Sequence, residues 1–279
     1  MCRKYFGRLV GELCLVVLLS SVVPGTGLAQ QAIKIDGSTG VAPLIAALAK
    51  AYQPKAPGVV IEIGKGMGGK ERIAALSGGE IDIAIASHGL KVDELTRSGM
   101  AVVEIARTPV VFAVHAGVGI ADLSEDQVCA IYAGTRTNWT EFGGPDLAIA
   151  PRTRPDSEVD AEVARDGVDC LKSLKMPASV KVMQRSGDMA EELASAPGAF
   201  GMTTSTVAQQ SGGKVRAVAL NGIRPDEANV LAGKYRLVRE AFLVTKSGPS
   251  AEVARFVVFI RSAEGAAVIK SNGAIPTAQ

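Results

Sequence analysis

Residues 35–44 read Ile-Asp-Gly-Ser-Thr-Gly-Val-Ala-Pro-Leu, and this stretch decides how the fold begins. The apolar residues 32–35 predict a short strand that leads into it, and residues 36–40 predict a turn of small and hydroxyl side chains. Apolar residues then recur at helical spacing, at Val41, Leu44, Ile45, Leu48 and Tyr52. The sequence therefore predicts a strand, a tight turn and a helix in direct succession.

The same alternation continues along the chain. Further strands are predicted at Val59–Ile63 and at residues 81–86, 109–115 and 240–245. Further helices are predicted at residues 71–76, ended by Gly78-Gly79, at 124–133, after Pro155, and at 253–260. Ser124 and Gln127 have capping-box spacing in the second of these, and Gly134 ends it. The pattern predicts an α/β protein with mainly parallel sheets covered by helices.

Composition and charge exclude several classes. The 279 residues are 47% apolar and 21% charged, which suits a folded chain with a sizeable core rather than a disordered or collagen-like one. The first 29 residues hold three basic side chains and one acidic side chain, so the remainder balances at 27 of each. A chain without net charge beyond residue 29 is not expected to bind nucleic acid.

The N-terminal residues have the order of a secretory signal peptide. A basic start is followed by the mostly apolar residues 13–23, the break Pro24-Gly25 and the small-residue site at residues 27–29. A membrane anchor would need about 20 apolar residues. We expect residues 1–29 to be removed after Ala29, leaving a soluble periplasmic protein. Cys14 lies at the start of the apolar run, where it is poorly placed for lipid attachment.

Two cysteines remain after this processing. In an oxidising compartment Cys129 and Cys170 could form a disulfide, and two buried thiols are the equally weighted alternative. With only His88 and His115 beside them, the close ligand pairs of a structural zinc site are absent from the sequence. We expect neither a metal nor a cofactor.

Three loops share one predicted geometry, in which a strand ends in a turn and a helix begins. They are residues 37–40, 66–69 and 154–157. Open α/β sheets bind ligands at such strand ends. Helix starts offer unpaired backbone N–H groups and a partial positive charge, while hydroxyls and one arginine add donors. Each loop alone is better explained as the start of an ordinary capped helix, but together the three loops favour a small oxyanion.

Nucleotide binding and catalysis receive weaker support. Residues 64–69 match G-x-G-x-x-G, but Glu71 stands where a nucleotide-triphosphate loop has a magnesium-binding hydroxyl residue. The sequence has neither a G-x-S-x-G nor an H-E-x-x-H motif, and adjacent residues Ser87 and His88 would point to opposite faces of a strand. We therefore do not expect an enzyme.

Taken in order, these segments resemble the phosphate-binding proteins of phosphate ABC transporters. The resemblance begins at residues 35–44 and continues through 64–69, 82–87, 123–139, 197–201 and 220–276. It includes Ile131-Tyr132-Ala133-Gly134 and Gly273-Ala274-Ile275-Pro276. The ordered set, covering nearly all of residues 32–276, makes the resemblance specific.

The resemblance implies a two-lobed periplasmic-binding-protein-like fold, with a two-stranded hinge and a ligand cleft between lobes. The expected lobes are residues 30–108 plus 240–279 and residues 109–239. The ligand positions it implies are Ser38, Thr39, Gly40, Met67, Gly68, Ser87, Arg154, Glu158, Val159 and Asp160. Arg154 is expected to supply the main positive charge, because the matched motifs contain no other pocket cation.

The third loop departs from the family pattern. After its arginine the family usually has an acidic residue and then Ser-Gly-Thr, whereas this chain has Glu158-Val159-Asp160. Two carboxylates near a bound dianion would repel it, although a protonated ligand could donate a hydrogen bond to one of them. Alternatively, Ser157 and Asp160 form a capping box that satisfies only their own helix. We favour this structural role for Asp160.

The function implied is that of a monomeric solute-binding protein. It would capture inorganic phosphate or a related oxyanion and deliver it to an inner-membrane ABC permease, without breaking a bond. A ligand-sensing or accessory module of the same fold is the main alternative, and an exported hydrolase is a weaker one. The substitutions at Met67, Glu158 and Asp160 leave the identity of the oxyanion open.

Overall fold

The computed structural model describes residues 31–87 and 89–277. The expected signal peptide, its cleavage site and His88 lie outside the described residues. Within the described ranges there are twelve strands. They are β1 Gln31–Gly37, β2 Val59–Ile63, β3 Ile83–Ser87, β4 Met100–His115, β5 Asp122–Leu123, β6 Ala150–Thr153, β7 Lys181–Val182, β8 Ala199–Thr204, β9 Val215–Ala217, β10 Ala219–Leu220, β11 Val238–Lys246 and β12 Ile275–Pro276.

The described residues also form ten α-helices. They are α1 Ala42–Tyr52, α2 Gly69–Gly78, α3 Val92–Arg97, α4 Glu125–Tyr132, α5 Val159–Gly167, α6 Ser186–Ser195, α7 Ser205–Gln210, α8 Glu227–Leu231, α9 Ala251–Arg261 and α10 Ala263–Ser271. Over the ranges that the structure describes, none of the helices has the length and apolar character of a membrane span.

Several of these elements were predicted correctly from local sequence patterns. Strand β2 has the predicted bounds, and helix α2 ends where Gly79 adopts a φ of 79°. The capping box of α4 is confirmed, because the Gln127 amide N–H donates to Ser124 Oγ (3.2 Å) and the Ser124 amide N–H donates to Gln127 Oε1 (2.8 Å). Gly134 follows this helix with a φ of 72°.

The main sheet is mixed, so the expectation of mainly parallel sheets is wrong. Its central order is β2-β1-β3-β11-β4-β8-β6-β7, with β9 and β12 also paired to β4. Strand β1 runs parallel to β2 and β3, and β6 runs parallel to β7 and β8. Strands β4 and β11 run antiparallel to each other and to their outer neighbours β8 and β3.

The long strand β4 divides the sheet into two halves. Residues 100–109 pair with β11, and residues 110–114 pair with β8, so the partner changes between Pro109 and Val110. The first sheet half, as we call it, consists of β1, β2, β3, β11, β12 and the start of β4. The second sheet half consists of the end of β4 with β6, β7, β8 and β9.

Each half has its own buried core. In the first, Tyr52 packs between Phe256 and Phe259, with ring centroids 5.2 Å from each. In the second, Tyr132 and Phe200 pack together, also at 5.2 Å, and burial raises the pKa of Tyr132 above its usual range. Two separate cores allow the halves to persist as two bodies around a cleft.

The cysteines form a disulfide in the second core. Cys129 of α4 is bonded to Cys170, and their Cα atoms lie 6.3 Å apart. Of the two alternatives weighed from the sequence, the structure therefore has the disulfide.

Candidate functional site

A polar cavity of about 560 Å³ lies where loops from the two sheet halves meet. From the first half, its walls come from the carboxyl ends of β1, β2 and β3, and from the second half they come from segments after β6 and β7. This edge of an open α/β sheet is where ligands bind. The lining residues are Gly37, Ser38, Thr39, Lys65, Gly66, Met67, Gly68, Gly69, Arg72, Ser87, Ser157, Glu158, Val159, Glu162, Gln184 and Arg185.

Seven of the ten predicted ligand positions line this one cavity, although they come from four separate segments of the chain. They are Ser38, Thr39, Met67, Gly68, Ser87, Glu158 and Val159. Gly40, Arg154 and Asp160 are not among the lining residues. Arg154 and Asp160 are instead buried beside the cavity.

Asp36 fixes the first loop against the second. Its Oδ1 accepts hydrogen bonds from the amide N–H groups of Gly37 (2.7 Å) and Gly66 (2.9 Å). Gly37 has a φ of 137°, and a Cβ there would lie 2.2 Å from the Ile85 carbonyl oxygen, so glycine is required. The two loops are thereby held in a defined relation before any ligand arrives.

The first loop also reaches the second sheet half. Thr39 Oγ1 lies 3.3 Å from Ser186 Oγ, the first residue of α6. This hydroxyl contact joins the two sides of the cavity next to the start of a helix. The Thr39 hydroxyl lines the cavity and can donate to an anion that enters the cleft.

The second loop contributes a helix start. Gly68 is the N-cap of α2, and Met67, which stands where the family often has serine, is partly buried against the apolar cluster around Leu76. The side chain of Met67 therefore packs with its own sheet half. The oxyanion-binding capacity of this loop comes from its backbone and from Arg72, one turn into α2.

Ser87 and Ser38 are both held by Arg239, the second residue of β11. Arg239 Nε donates to Ser87 Oγ (2.8 Å), and its Nη2 donates to Ser38 Oγ (3.0 Å). The Ser87 hydroxyl in turn donates to the Glu240 carbonyl oxygen (2.7 Å). A Cβ at Gly40 would lie 2.3 Å from Arg239 Nη1, so this glycine lets the guanidinium lie across the first loop.

The third loop carries a buried, compensated arginine. The Arg154 side chain is 0% exposed, its Nη2 lies 2.9 Å from Glu158 Oε2, and its Nη1 donates to the Met183 carbonyl oxygen at 2.6 Å. Only its Nε lacks a hydrogen-bond partner within the described part of the chain. The carboxylate that replaced a family hydroxyl is therefore paired with the arginine of the same loop.

Asp160 does not close the capping box that its spacing suggested. Helix α5 begins at Val159 with Glu158 as N-cap, and the contacts of the described residues include no side-chain cap for it. Asp160 Oδ1 instead pairs with Arg239 Nη1, and both side chains are 3% exposed. The capping-box interpretation is wrong, because a buried carboxylate is stabilised far more by a buried arginine than by its own helix start.

Four cations at this site were not predicted as ligand positions: Lys65, Arg72 and Arg185 line the cavity, and Arg239 borders it. The expectation that the matched motifs lack a second pocket cation is therefore wrong, since Lys65 of segment 64–69 lines the cavity and Arg239 of segment 220–276 borders it through Ser38 and Ser87. Arg72 could have been found from its position one turn after the glycine-rich loop. Arg239 gives no such local signal, because it approaches the first loop only once β11 pairs with β3.

Metal binding finds no support in the described residues. Within residues 31–87 and 89–277, acidic, histidine and cysteine side chains do not form a group of three that could hold a metal ion. The cavity is lined by hydroxyls, backbone amides, the cations Lys65, Arg72 and Arg185 and the carboxylates of Glu158 and Glu162. Its hydroxyls, amides and cations suit a small anion.

Two sheet halves with separate cores, joined through β4 and β11 around a polar cavity, define a two-lobed ligand-binding protein. The family model described as "PBP superfamily domain" matches residues 23–264, and the chain belongs to this superfamily. The two-lobed fold implied by the sequence resemblance is thereby confirmed.

Three relatives show how far the similarity extends. The phosphate-binding protein PstS of Bacillus subtilis (strain 168) is 26% identical over 268 residues, covering 92% of this chain and 84% of that protein. A structure from Clostridium perfringens, described as a phosphate ABC transporter substrate-binding protein with bound phosphate, is 28% identical with a TM-score of 0.71. It covers 89% of this chain and 100% of that chain.

The third is an ABC-type phosphate transport receptor from Vibrio cholerae, 24% identical with a TM-score of 0.59. It covers 87% of this chain and 99% of that chain, and at this identity it shows the fold alone.

Proposed function

We propose that this chain is an exported solute-binding protein that captures inorganic phosphate, or a related oxyanion, and delivers it to an ABC-type uptake permease. The observation that carries the proposal is the cavity itself, where hydroxyls, helix starts and arginines from both sheet halves converge. Helix starts and guanidinium groups favour an anion, and hydroxyls add donors without adding charge. The relative from Clostridium perfringens with bound phosphate supports phosphate as the ligand.

The proposed contacts are those expected from the sequence. They are Ser38, Thr39, Gly40, Met67, Gly68, Ser87, Arg154, Glu158, Val159 and Asp160. The placement of seven of them on one cavity supports those seven, whereas Gly40, Arg154 and Asp160 are not among the lining residues. The protein's role is binding and release, with no cofactor and no bond broken.

The proposed lobes are residues 30–108 plus 240–279 and residues 109–239. The change of strand partner between Pro109 and Val110 supports a hinge there, and β11 provides the second crossing. Closure of such a hinge would bring donors from both sides onto one ion. Export through a signal peptide ending at Ala29, and a monomeric state, complete the proposal.

A calorimetric titration of the processed protein tests this function. Phosphate, sulfate, molybdate and methylphosphonate are titrated separately at one salt concentration, because anion affinities depend on ionic strength. We expect saturable one-to-one binding that is tightest for phosphate. Tighter binding of another anion would reassign the ligand, and no binding of any of the four would refute the proposed function.

A further inference from the structure

Arg72 differs from the other buried or partly buried arginines around the cavity. It lines the cavity and is partly buried, and its Nε has no hydrogen-bond partner among the described residues. No ion pair within residues 31–87 and 89–277 includes it either. A desolvated cation without a partner is costly to the folded state, so its retention needs another explanation.

The two neighbouring arginines are already occupied. Arg154 pairs with Glu158 and with the Met183 carbonyl oxygen, and Arg239 pairs with Asp160, Ser38 and Ser87. Neither side chain is more than 3% exposed. A ligand that used either guanidinium as its main charge partner would have to displace a carboxylate that is already bonded to it.

The surroundings of Arg72 direct its guanidinium toward the cavity. Its Cδ would lie 3.0 Å from a Cβ at Gly37, so the glycine of the first loop leaves space for its stem. Its Nη2 would lie 3.8 Å from a Cβ at Gly69, which places the guanidinium beside the first turn of α2. The positive end of this helix and the arginine therefore act on the same part of the cavity.

We propose that Arg72 is a ligand-contacting residue and supplies the principal partly buried positive charge for the oxyanion. Lys65 and Arg185 also line the cavity, but both are exposed to solvent, which screens their charge. This inference rests on the proposed function and deepens it. It assigns the main charge to the first sheet half, whereas the third-loop arginine serves chiefly to hold Glu158. The anion would lie between Arg72 and the α5 start, so that each side of the cleft contributes.

The electrostatics around Arg72 agree with this assignment. Burial lowers the pKa of Arg72, the charge of Arg239 lowers it further, and Glu158 partly offsets both. The guanidinium nevertheless stays protonated at any physiological pH. The attraction of a bound anion would offset the penalty for burying Arg72 and the repulsion from Arg239, so ligand binding should stabilise this side of the cavity.

The test compares Arg72→Gln, Arg72→Lys and Lys70→Gln by calorimetry against the four anions above. Lys70 lies on the same helix, is exposed and does not line the cavity, so its variant removes an equal charge without a ligand contact. We expect Arg72→Gln to weaken phosphate binding about 10- to 100-fold and Lys70→Gln to change it less than about threefold. Arg72→Lys should be intermediate, because it keeps the charge but loses the planar fork.

Melting temperatures separate a ligand contact from a structural role. Without anion, Arg72→Gln should melt at or above the parent temperature, because the described residues give Arg72 no partner to lose. Saturating phosphate should raise the melting temperature of the parent by more than it raises that of Arg72→Gln. If the parent binds an anion and Arg72→Gln keeps the parent affinity, only this inference is overturned. If the parent binds none of the four, the proposed function and this inference both fail.

Discussion

The two sides of the cavity handle charge in opposite ways. On the side of the second sheet half, Arg154 is compensated by Glu158, and Asp160 is compensated by Arg239. On the side of the first sheet half, Arg72 lines the cavity and has no carboxylate partner within the part of the chain that the structure describes. The comparison teaches that a buried arginine in a matching loop can be a structural partner, whereas an unpaired one is available to a ligand.

This difference changes how the acidic third loop is understood. From the sequence, two carboxylates beside an anion suggested repulsion. In the structure, each carboxylate is held by an arginine, so the loop presents ion pairs rather than free negative charge. Exposed Glu162 lines the cavity outside these two pairs.

The largest expected effect is the loss of stability when the buried Asp160–Arg239 ion pair is broken. Asp160→Ala would leave Arg239 buried without its carboxylate, and we expect the free energy of unfolding to fall by about 3–5 kcal/mol in urea denaturation. Asp156→Ala is the control, because Asp156 pairs with Arg165 but its side chain is 96% exposed. Equal losses of stability in the two variants would show that the buried ion pair stabilises the protein no more than the exposed one.

The disulfide should stabilise the second sheet half by a slightly smaller amount. Cys129 and Cys170 are 41 residues apart in sequence, and their bond restricts the unfolded chain. Replacing both with serine should lower the free energy of unfolding by about 3–4 kcal/mol. Denaturation is followed by Trp139 fluorescence, since Trp139 is buried in that half. An unchanged transition midpoint would contradict the expectation.

On the first sheet half, Gly64→Ala tests how rigidly the loops are held. A Cβ at Gly64 would lie 1.8 Å from Asp36 Oδ2, so Asp36 would have to move away from the Gly37 and Gly66 amides. We expect a loss of about 1–3 kcal/mol in the free energy of unfolding. Gly58→Ala is the matched control, because nothing lies within 4 Å of its Cβ position. Similar losses of unfolding free energy in both variants would mean that the Asp36 hydrogen bonds do not account for the effect of Gly64→Ala.

The smallest expected effect is a change in phosphate affinity when the ion pairs of the second sheet half are removed. The combined variant Glu158→Ser, Val159→Gly and Asp160→Thr removes both carboxylates and leaves Arg154 and Arg239 free to donate to a ligand. We expect phosphate to bind about tenfold more tightly, although the anion-free protein loses stability. Calorimetry gives the affinity, and melting scans with and without phosphate give the stability.

Glu162→Gln is the control for this variant, because it removes an exposed lining carboxylate without freeing either arginine. It should change the affinity by less than about threefold. A similar gain in Glu162→Gln would mean that general repulsion decides the affinity. Weaker phosphate binding by the folded triple variant would instead mean that the carboxylates take part in recognition.

Much of the architecture could be predicted because it depends on short-range patterns. The Ser124–Gln127 capping box, the Gly79 helix end and the strand Val59–Ile63 each depend on residues a few positions apart. The loops at strand ends were also predictable, because parallel strands bring their carboxyl ends to one edge. The direction of β4 and β11 was not, because an isolated strand pattern does not specify its partner.

The sequence by itself determined the two-lobed α/β class, the loops that form the cavity and a preference for a small anion. Only the tertiary structure decided how the charges pair. Arg239 and Asp160 are 79 residues apart in the chain, and the ion pair between them replaces the capping box that the local spacing at Asp160 suggested. The physical reason is that hydrogen-bond patterns within a helix turn depend on local spacing, whereas a buried ion pair depends on which distant segments the folded sheet brings into contact.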